Sequence, residues 1–150
     1  MSMHETEIRV RYQETDNMGV VYYANYFVWF EVARTEYLRS AGISYRKLEE
    51  KGMYMMVAEA RCRYKAPARY DDMVRIQAWI PKIKNSSMQF EYKLFIGEKL
   101  IATGESVHVF TGRSGRPVRI PEEIRRLWIS AGRTVTRESS SAAPTGWLTR

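Results

Sequence analysis

At its start the chain alternates. In HETEIRVRYQ, Ile8, Val10 and Tyr12 fall on one side and Arg9 and Arg11 on the other, the two-residue period of a strand with one buried face. The turn formers of ETDNMG end it. From about Ala24 to Ala41 the period lengthens: Tyr26, Phe30, Ala33, Tyr37 and Ala41 recur every three or four residues, with Gly42 placed as a stop. This predicts a long helix. Val28, Val32 and Leu38 widen its apolar stripe, and Glu31, Arg34, Glu36 and Arg39 are left a narrow wet face. A helix so apolar needs an enclosure, and a sheet curled around it would supply one. A second, short helix is expected over SYRKLEEKG, with Ser44 as N-cap and Gly52 as stop.

From Met53 to Thr111 the period is two again. In VAEARCRYKA, Ala58, Ala60, Cys62 and Tyr64 alternate with Glu59, Arg61, Arg63 and Lys65, which reads as a half-buried strand with a charged outer face. Val74, Ile76, Ala78 and Ile80 share the face of a second strand, and Met88, Phe90, Tyr92 and Leu94 that of a third. A fourth, LIATGESVHVF, offers Ala102, Gly104 and Ser106 as small residues where a helix can approach closely. ARYDD, KNSS and IGEK are the turn signals, and such short spacings imply antiparallel hairpins. IPEEIRRLW then reads as a terminal helix, with Ile124, Leu127 and Trp128 as its stripe and Gly132 as its stop. The expected fold class is therefore α+β: one domain over residues 1–132 and a flexible, Ser/Thr/Ala-rich tail over 133–150.

Composition adds a setting. With 150 residues, 45% of them hydrophobic, the chain is long enough for one sizeable core and short for two. Cys62 is the lone cysteine and has no intrachain disulfide partner, and MSMHETE lacks the basic and apolar regions of a signal peptide. A cytoplasmic location is expected. The charge-free run from Asn17 to Phe30 falls short of the ~20 apolar residues of a membrane span. A net charge of +7 favours anionic partners without choosing among nucleic acid, membrane and phosphate-bearing small molecules.

RYQETDNMGVVYYANYFVWFEVARTEYLR followed by YKAPARYDDMVRIQAWI resembles the hotdog-fold acyl-CoA thioesterases of the 4-hydroxybenzoyl-CoA and Tol-Pal-associated type, over roughly Ile8 to Thr111. The resemblance implies an antiparallel five-stranded sheet wrapped around one long central helix, and hydrolysis of a short-chain or aromatic acyl-CoA. It implies no cofactor and no metal, and subunits joined as a homodimer or homotetramer with active sites at their boundary. Thioester hydrolysis needs a carboxylate that attacks the carbonyl carbon or activates water, and hydrogen-bond donors where negative charge develops on oxygen. By resemblance Asp16 is that carboxylate, as nucleophile or general base, and the backbone N–H of Tyr23 is the donor. A helix N-terminus suits the second role, because its first N–H groups lack intrahelical partners. Gly19 lets the loop bend. Val20, Val21, Tyr22 and Tyr26 are the neighbouring substrate contacts, although Tyr26 also reads as a core aromatic. The KIKNSS turn places Lys84 and Ser87 for the phosphates of coenzyme A, with a solvated hairpin rim as the plainer reading.

Rival readings attach to the same residues. An Asp ahead of a helix is commonly a cap or turn residue, but Asp16 lies far upstream for a helix starting near Ala24, and Asn25 is the better cap candidate. Glu31 is a second candidate carboxylate, and its setting beside Arg34 and Thr35 favours an ordinary helix surface. His108 reads as a satisfied core or interface histidine, Cys62 as a small buried hydrophobe, and nothing has metal-ligand spacing. The Arg61/Arg63/Lys65 stripe allows a nucleic-acid-binding module instead, but Tyr64 points away from the basic face and no aromatic RNA-binding pattern accompanies it. A hotdog dehydratase would pair a His with a downstream Pro-Gly, a pairing not found here.

Overall fold

The computed structural model describes residues 3–127. Strand β1 spans His4–Arg9 and is followed by a 3-10 turn, Tyr12–Glu14. Helices α1 (Asn25–Ser40) and α2 (Tyr45–Glu50) come next, then strands β2 (Tyr54–Tyr64), β3 (Met73–Ile83), β4 (Ser87–Ile96) and β5 (Lys99–Thr111). A last helix, α3, covers residues 122–127. Trp128, Gly132 and the 133–150 tail lie outside the described residues.

The five strands form one antiparallel sheet in the order β1-β3-β4-β5-β2. Consecutive strands β3, β4 and β5 pair through the two hairpins expected from KNSS and IGEK. Helix α1 lies on one face, where Trp29, Phe30, Ala33, Tyr37 and Leu38 are buried with Val74, Ile76, Phe90, Tyr92 and Leu94 from the strands. The expected sheet-and-helix architecture is therefore present, and the fold is the hotdog fold. The small residue at Gly104 explains how closely the helix sits. The Phe30 ring stacks on Tyr92 at 4.2 Å with 3° between the planes, and a Cβ on Gly104 would overlap that ring. At α2, the Ser44 side chain accepts from the Lys47 N–H at 3.2 Å, as its capping position predicts.

Several expectations need correction. Tyr12 is not on the first strand, which ends at Arg9; it sits in the 3-10 turn and is 77% exposed. Val28 and Val32 do not widen the buried stripe of α1 but face outward in the single chain. Ala58 and Ala60 are exposed too. Strand β2 is an edge with a neighbour on one side only, a register shift between Val57 and Glu59 takes Ala58 out of the ladder, and α1 rests mainly over β1 and β3. Strict alternation cannot report burial over the stretch of an edge strand that the helix leaves uncovered.

Beneath α1 a buried polar chain crosses the core. The Arg34 guanidinium donates to the Tyr92 hydroxyl at 3.2 Å, which lies 2.6 Å from Ser106 Oγ, itself 2.7 Å from His108 Nε2. Either hydroxyl of the Tyr92–Ser106 pair can donate to the other, and the direction of the Ser106–His108 bond follows the His108 tautomer. The other ring nitrogen, Nδ1, has no partner among the described residues. His108 is a core histidine, as expected, but it is satisfied at one nitrogen only. Burial, helped by the charge of Arg34, pushes its pKa down to about 3. Although Ser106 and His108 are within hydrogen-bond distance, both are buried beside Phe90 and line neither of the two clefts described below.

Candidate active site

The segment between the 3-10 turn and α1 is held by backbone bonds at each end. Thr15 pairs with Val21, and Val20 with Arg69, as isolated antiparallel bridges. Inside the loop, the Asp16 N–H donates to the Val20 carbonyl at 2.9 Å and the Gly19 N–H to the Asp16 carbonyl at 2.9 Å. Gly19 takes φ +78°, the left-handed region that a side chain disfavours. One carboxylate oxygen of Asp16 accepts from the Met18 N–H at 2.9 Å. This orients the side chain and leaves Oδ2 without a hydrogen bond among the described residues.

The entry to α1 is stitched to the same loop. The Val21 N–H donates to Ala68 O, the Tyr22 N–H to Glu14 O, both at 2.8 Å, and the Asn25 N–H to Tyr22 O at 2.9 Å. Among the described residues no carbonyl accepts from the Tyr23 N–H. The helix has Ala24 as its N-cap, in helical conformation and with no side-chain cap bond. Asn25 does not cap it: its side chain donates backward, to Glu14 O at 2.8 Å. Within the first turn the N–H groups of Asn25, Tyr26 and Phe27 donate to the carbonyls three residues back, at 2.9, 3.3 and 3.2 Å, while that of Tyr23, ahead of them, does not.

A cleft of about 400 Å³ opens where these parts meet, lined by Asp16, Met18, Val20, Val21, Tyr23, Tyr26, Tyr64, Lys65, Ala66 and Pro67. Of the residues expected at the site, Asp16, Val20, Val21, Tyr23 and Tyr26 share this cleft. Gly19 shapes the loop beside it, and Tyr22 is exposed outside the lining. Lys84 and Ser87 line a different cleft, of about 260 Å³, with Lys82, Glu59, Gln89 and Glu105. Strand length explains the separation. The Asp16 loop bridges to Arg69 just before β3, whereas Lys84 follows its far end, and 11 strand residues span on the order of 30 Å. Glu31 is an exposed residue of α1 and lines neither cleft.

Pattern reading missed the wall formed by the end of β2 and the residues after it. The Tyr64 hydroxyl donates to Tyr23 O at 2.9 Å, and its ring packs edge-on against Tyr26 at 4.8 Å. Burial and the nearby Cys62 raise the Tyr64 pKa, so the phenol stays a neutral donor. The Cys62 thiol is pushed up to about 11, chiefly by burial, in keeping with an inert structural cysteine. Arg61 and Glu105 form an ion pair of 3.2 Å, so the basic stripe is partly neutralised within the sheet. Also missed was Glu14, 4% exposed two residues before Asp16. It stands among the turn formers of ETDNMG, where no periodic signal distinguishes it.

A hotdog sheet and helix, with a carboxylate loop folded against the start of the central helix, define the class of the hotdog thioesterases. The chain belongs to the thioesterase-like superfamily, whose sequence profile matches residues 10–127. It is 33% identical over 121 residues to the acyl-CoA thioesterase YbgC of Haemophilus influenzae, covering 79% of this chain and 88% of that protein. Among solved structures, a DHNA-CoA thioesterase from Staphylococcus aureus superposes with a TM-score of 0.81 at 31% identity, covering 94% of this chain and 95% of the other. A gentisyl-coenzyme A thioesterase superposes with a TM-score of 0.78 at 29% identity, covering 81% and 99%. None of this similarity points toward nucleic acid. No helix among the described residues is long and apolar enough to cross a membrane.

Proposed function

We propose that the protein hydrolyses the thioester of a short-chain or aromatic acyl-CoA, with aromatic acyl groups preferred. The observation that carries this is the shared cleft: Asp16, one carboxylate oxygen of which is oriented by the Met18 N–H, lines the same space as Tyr23 ahead of α1. Asp16 attacks the thioester carbonyl or activates a water against it, and the Tyr23 N–H receives the charge that develops on oxygen. The positive end of the helix dipole adds to that donor. The aromatic preference rests on the Tyr26 and Tyr64 rings in the wall and on the aromatic CoA esters named for the Staphylococcus and gentisyl enzymes.

A second subunit completes the site in this reading. Edge strand β2 begins at Tyr54, at the end of the sheet that holds Ser87, and finishes at Tyr64 in the Asp16 cleft. Antiparallel pairing of β2 with its copy would bring the copy's Lys84 turn beside this Asp16 cleft, where it could contact the CoA phosphates. The exposed Val28, Val32, Met56 and Val57 would be covered in the same step. The test is a panel of acyl-CoAs assayed for thiol release by wild type and Asp16→Asn. The amide is a poor base and nucleophile, so turnover should fall by about 100-fold or more in a folded variant. A folded Asp16→Asn with wild-type turnover would refute the reading.

A further inference from the structure

Glu14 is the buried carboxylate that this chemistry does not use. It is 4% exposed and absent from the cleft lining, so it cannot reach a substrate. Its bonds instead tie the approach to the Asp16 loop to the start of α1. Its Oε1 accepts from the Arg11 N–H at 2.8 Å and its Oε2 from the Trp29 indole N–H at 3.0 Å, with the Arg11 guanidinium 3.4 Å from Oε2. Its carbonyl accepts from the Tyr22 N–H and from Asn25 Nδ2, each at 2.8 Å. One residue thus grips the chain before the loop, the residue preceding Tyr23, and the first two turns of α1.

We propose that Glu14 is a positioning residue, which sets the separation between the Asp16 carboxylate and the Tyr23 N–H by clamping the Asp16 loop to the start of α1. This rests on the reading of Asp16 and Tyr23 given above. The physical case is that the loop has few other ties to the helix. Asp16 is two residues from Glu14 and Tyr23 is one from Tyr22, and the loop's own bonds, the Thr15–Val21 bridge and the Asp16 N–H to Val20 O, make it a unit whose seating against α1 the clamp sets. Loss of these bonds in a buried place leaves the Trp29 indole N–H or the Arg11 amide unpaired. A carboxylate offers acceptors to both donors at once. The amide of Gln offers one acceptor and presents its NH₂ to the other donor, so Glu14→Gln breaks one arm at nearly constant volume.

The test compares Glu14→Gln, Trp29→Phe and Asp16→Asn with wild type in full-length protein, well below each melting temperature. The measurements are kcat and KM on one acyl-CoA, and hydrogen exchange of the Asp16, Gly19, Val21 and Tyr22 amides. A 1 Å misplacement costs up to about 100-fold, so Glu14→Gln should lower kcat by about 10-fold to 100-fold with KM little changed. Exchange should speed up in the loop and not in β3 or β4. Trp29→Phe removes one donor and should give a smaller fall in kcat in the same direction, which keeps the proposal testable if Glu14→Gln does not fold. A merely structural Glu14 would lower the melting temperature and leave the kcat of folded enzyme intact. Wild-type kcat and loop exchange in a folded Glu14→Gln or in Trp29→Phe, with Asp16→Asn inactive, would overturn the clamp and leave the function standing. A Glu14→Gln as inactive as Asp16→Asn would also overturn it, by making Glu14 a reacting group. Full turnover in Asp16→Asn would instead bring down the reading beneath it.

Discussion

Replacing Gly104 by Ala should destabilise the protein although it only adds a methyl group. The Cβ would fall on the Phe30 ring and 2.8 Å from the Arg61 carbonyl. Neither neighbour has an easy retreat. The ring is stacked flat on Tyr92 at 4.2 Å and is 1% exposed, while the carbonyl belongs to β2, whose Cys62 pairs directly with Gly104. Overpacking of this kind costs typically 1–3 kcal/mol. For a chain of this size each kcal/mol shifts the midpoint by roughly 2–4 °C, so the melting temperature should fall by roughly 2–12 °C. Far-UV circular dichroism on heating, checked by urea unfolding with an unchanged m value, measures it. Phe30→Leu in the Gly104→Ala background should recover part of the loss, because the leucine withdraws the ring edge from the new methyl. A Gly104→Ala as stable as wild type would mean that α1 does not bear on β5 as described, and would undo the account of how the helix is seated.

At Tyr23, removing the hydroxyl with Tyr23→Phe should change turnover little, whereas Tyr23→Pro removes the N–H and should cost on the order of 100-fold to 1000-fold in kcat; the reverse ranking in folded variants would assign the chemistry to the phenol. Burial, with the Glu105 charge directly across the ladder adding to it, raises the Glu91 pKa to about 7. The native state therefore holds that proton more tightly than the unfolded chain, and stability present below pH 4.5 is lost as pH rises through 7. Glu91→Gln should accordingly melt higher than wild type at pH 8 and close to it at pH 4.5; a gap independent of pH would contradict this. Light scattering should give at least twice the chain mass of 17.6 kDa, and a mass near 17.6 kDa at micromolar concentration would exclude a shared active site.

Local pattern was enough to determine the order and kind of the elements. Two-residue alternation marks Val74 to Ile80 and Met88 to Leu94 as strands, and the three-to-four spacing from Tyr26 to Tyr37 marks the helix, because both periods follow from backbone geometry alone. Gly104 was legible as a close-approach point for the same reason: a missing side chain in a strand leaves room that something else fills. The sequence also placed Asp16, Val20, Val21, Tyr23 and Tyr26 together, since they are near neighbours along the chain. Long-range pairing decided the rest. That β2 lies at the sheet edge, exposing Ala58 and Ala60, depends on which strand it pairs with, and periodicity carries no such information. The Tyr64 wall reaches the Asp16 cleft from some 48 residues downstream only because the sheet returns it there. Lys84 and Asp16 fall in separate clefts because the length of β3 lies between them. Glu14, written among turn formers, is buried because Trp29 and Arg11 converge on it, and only the tertiary structure supplies donors that let a carboxylate leave water.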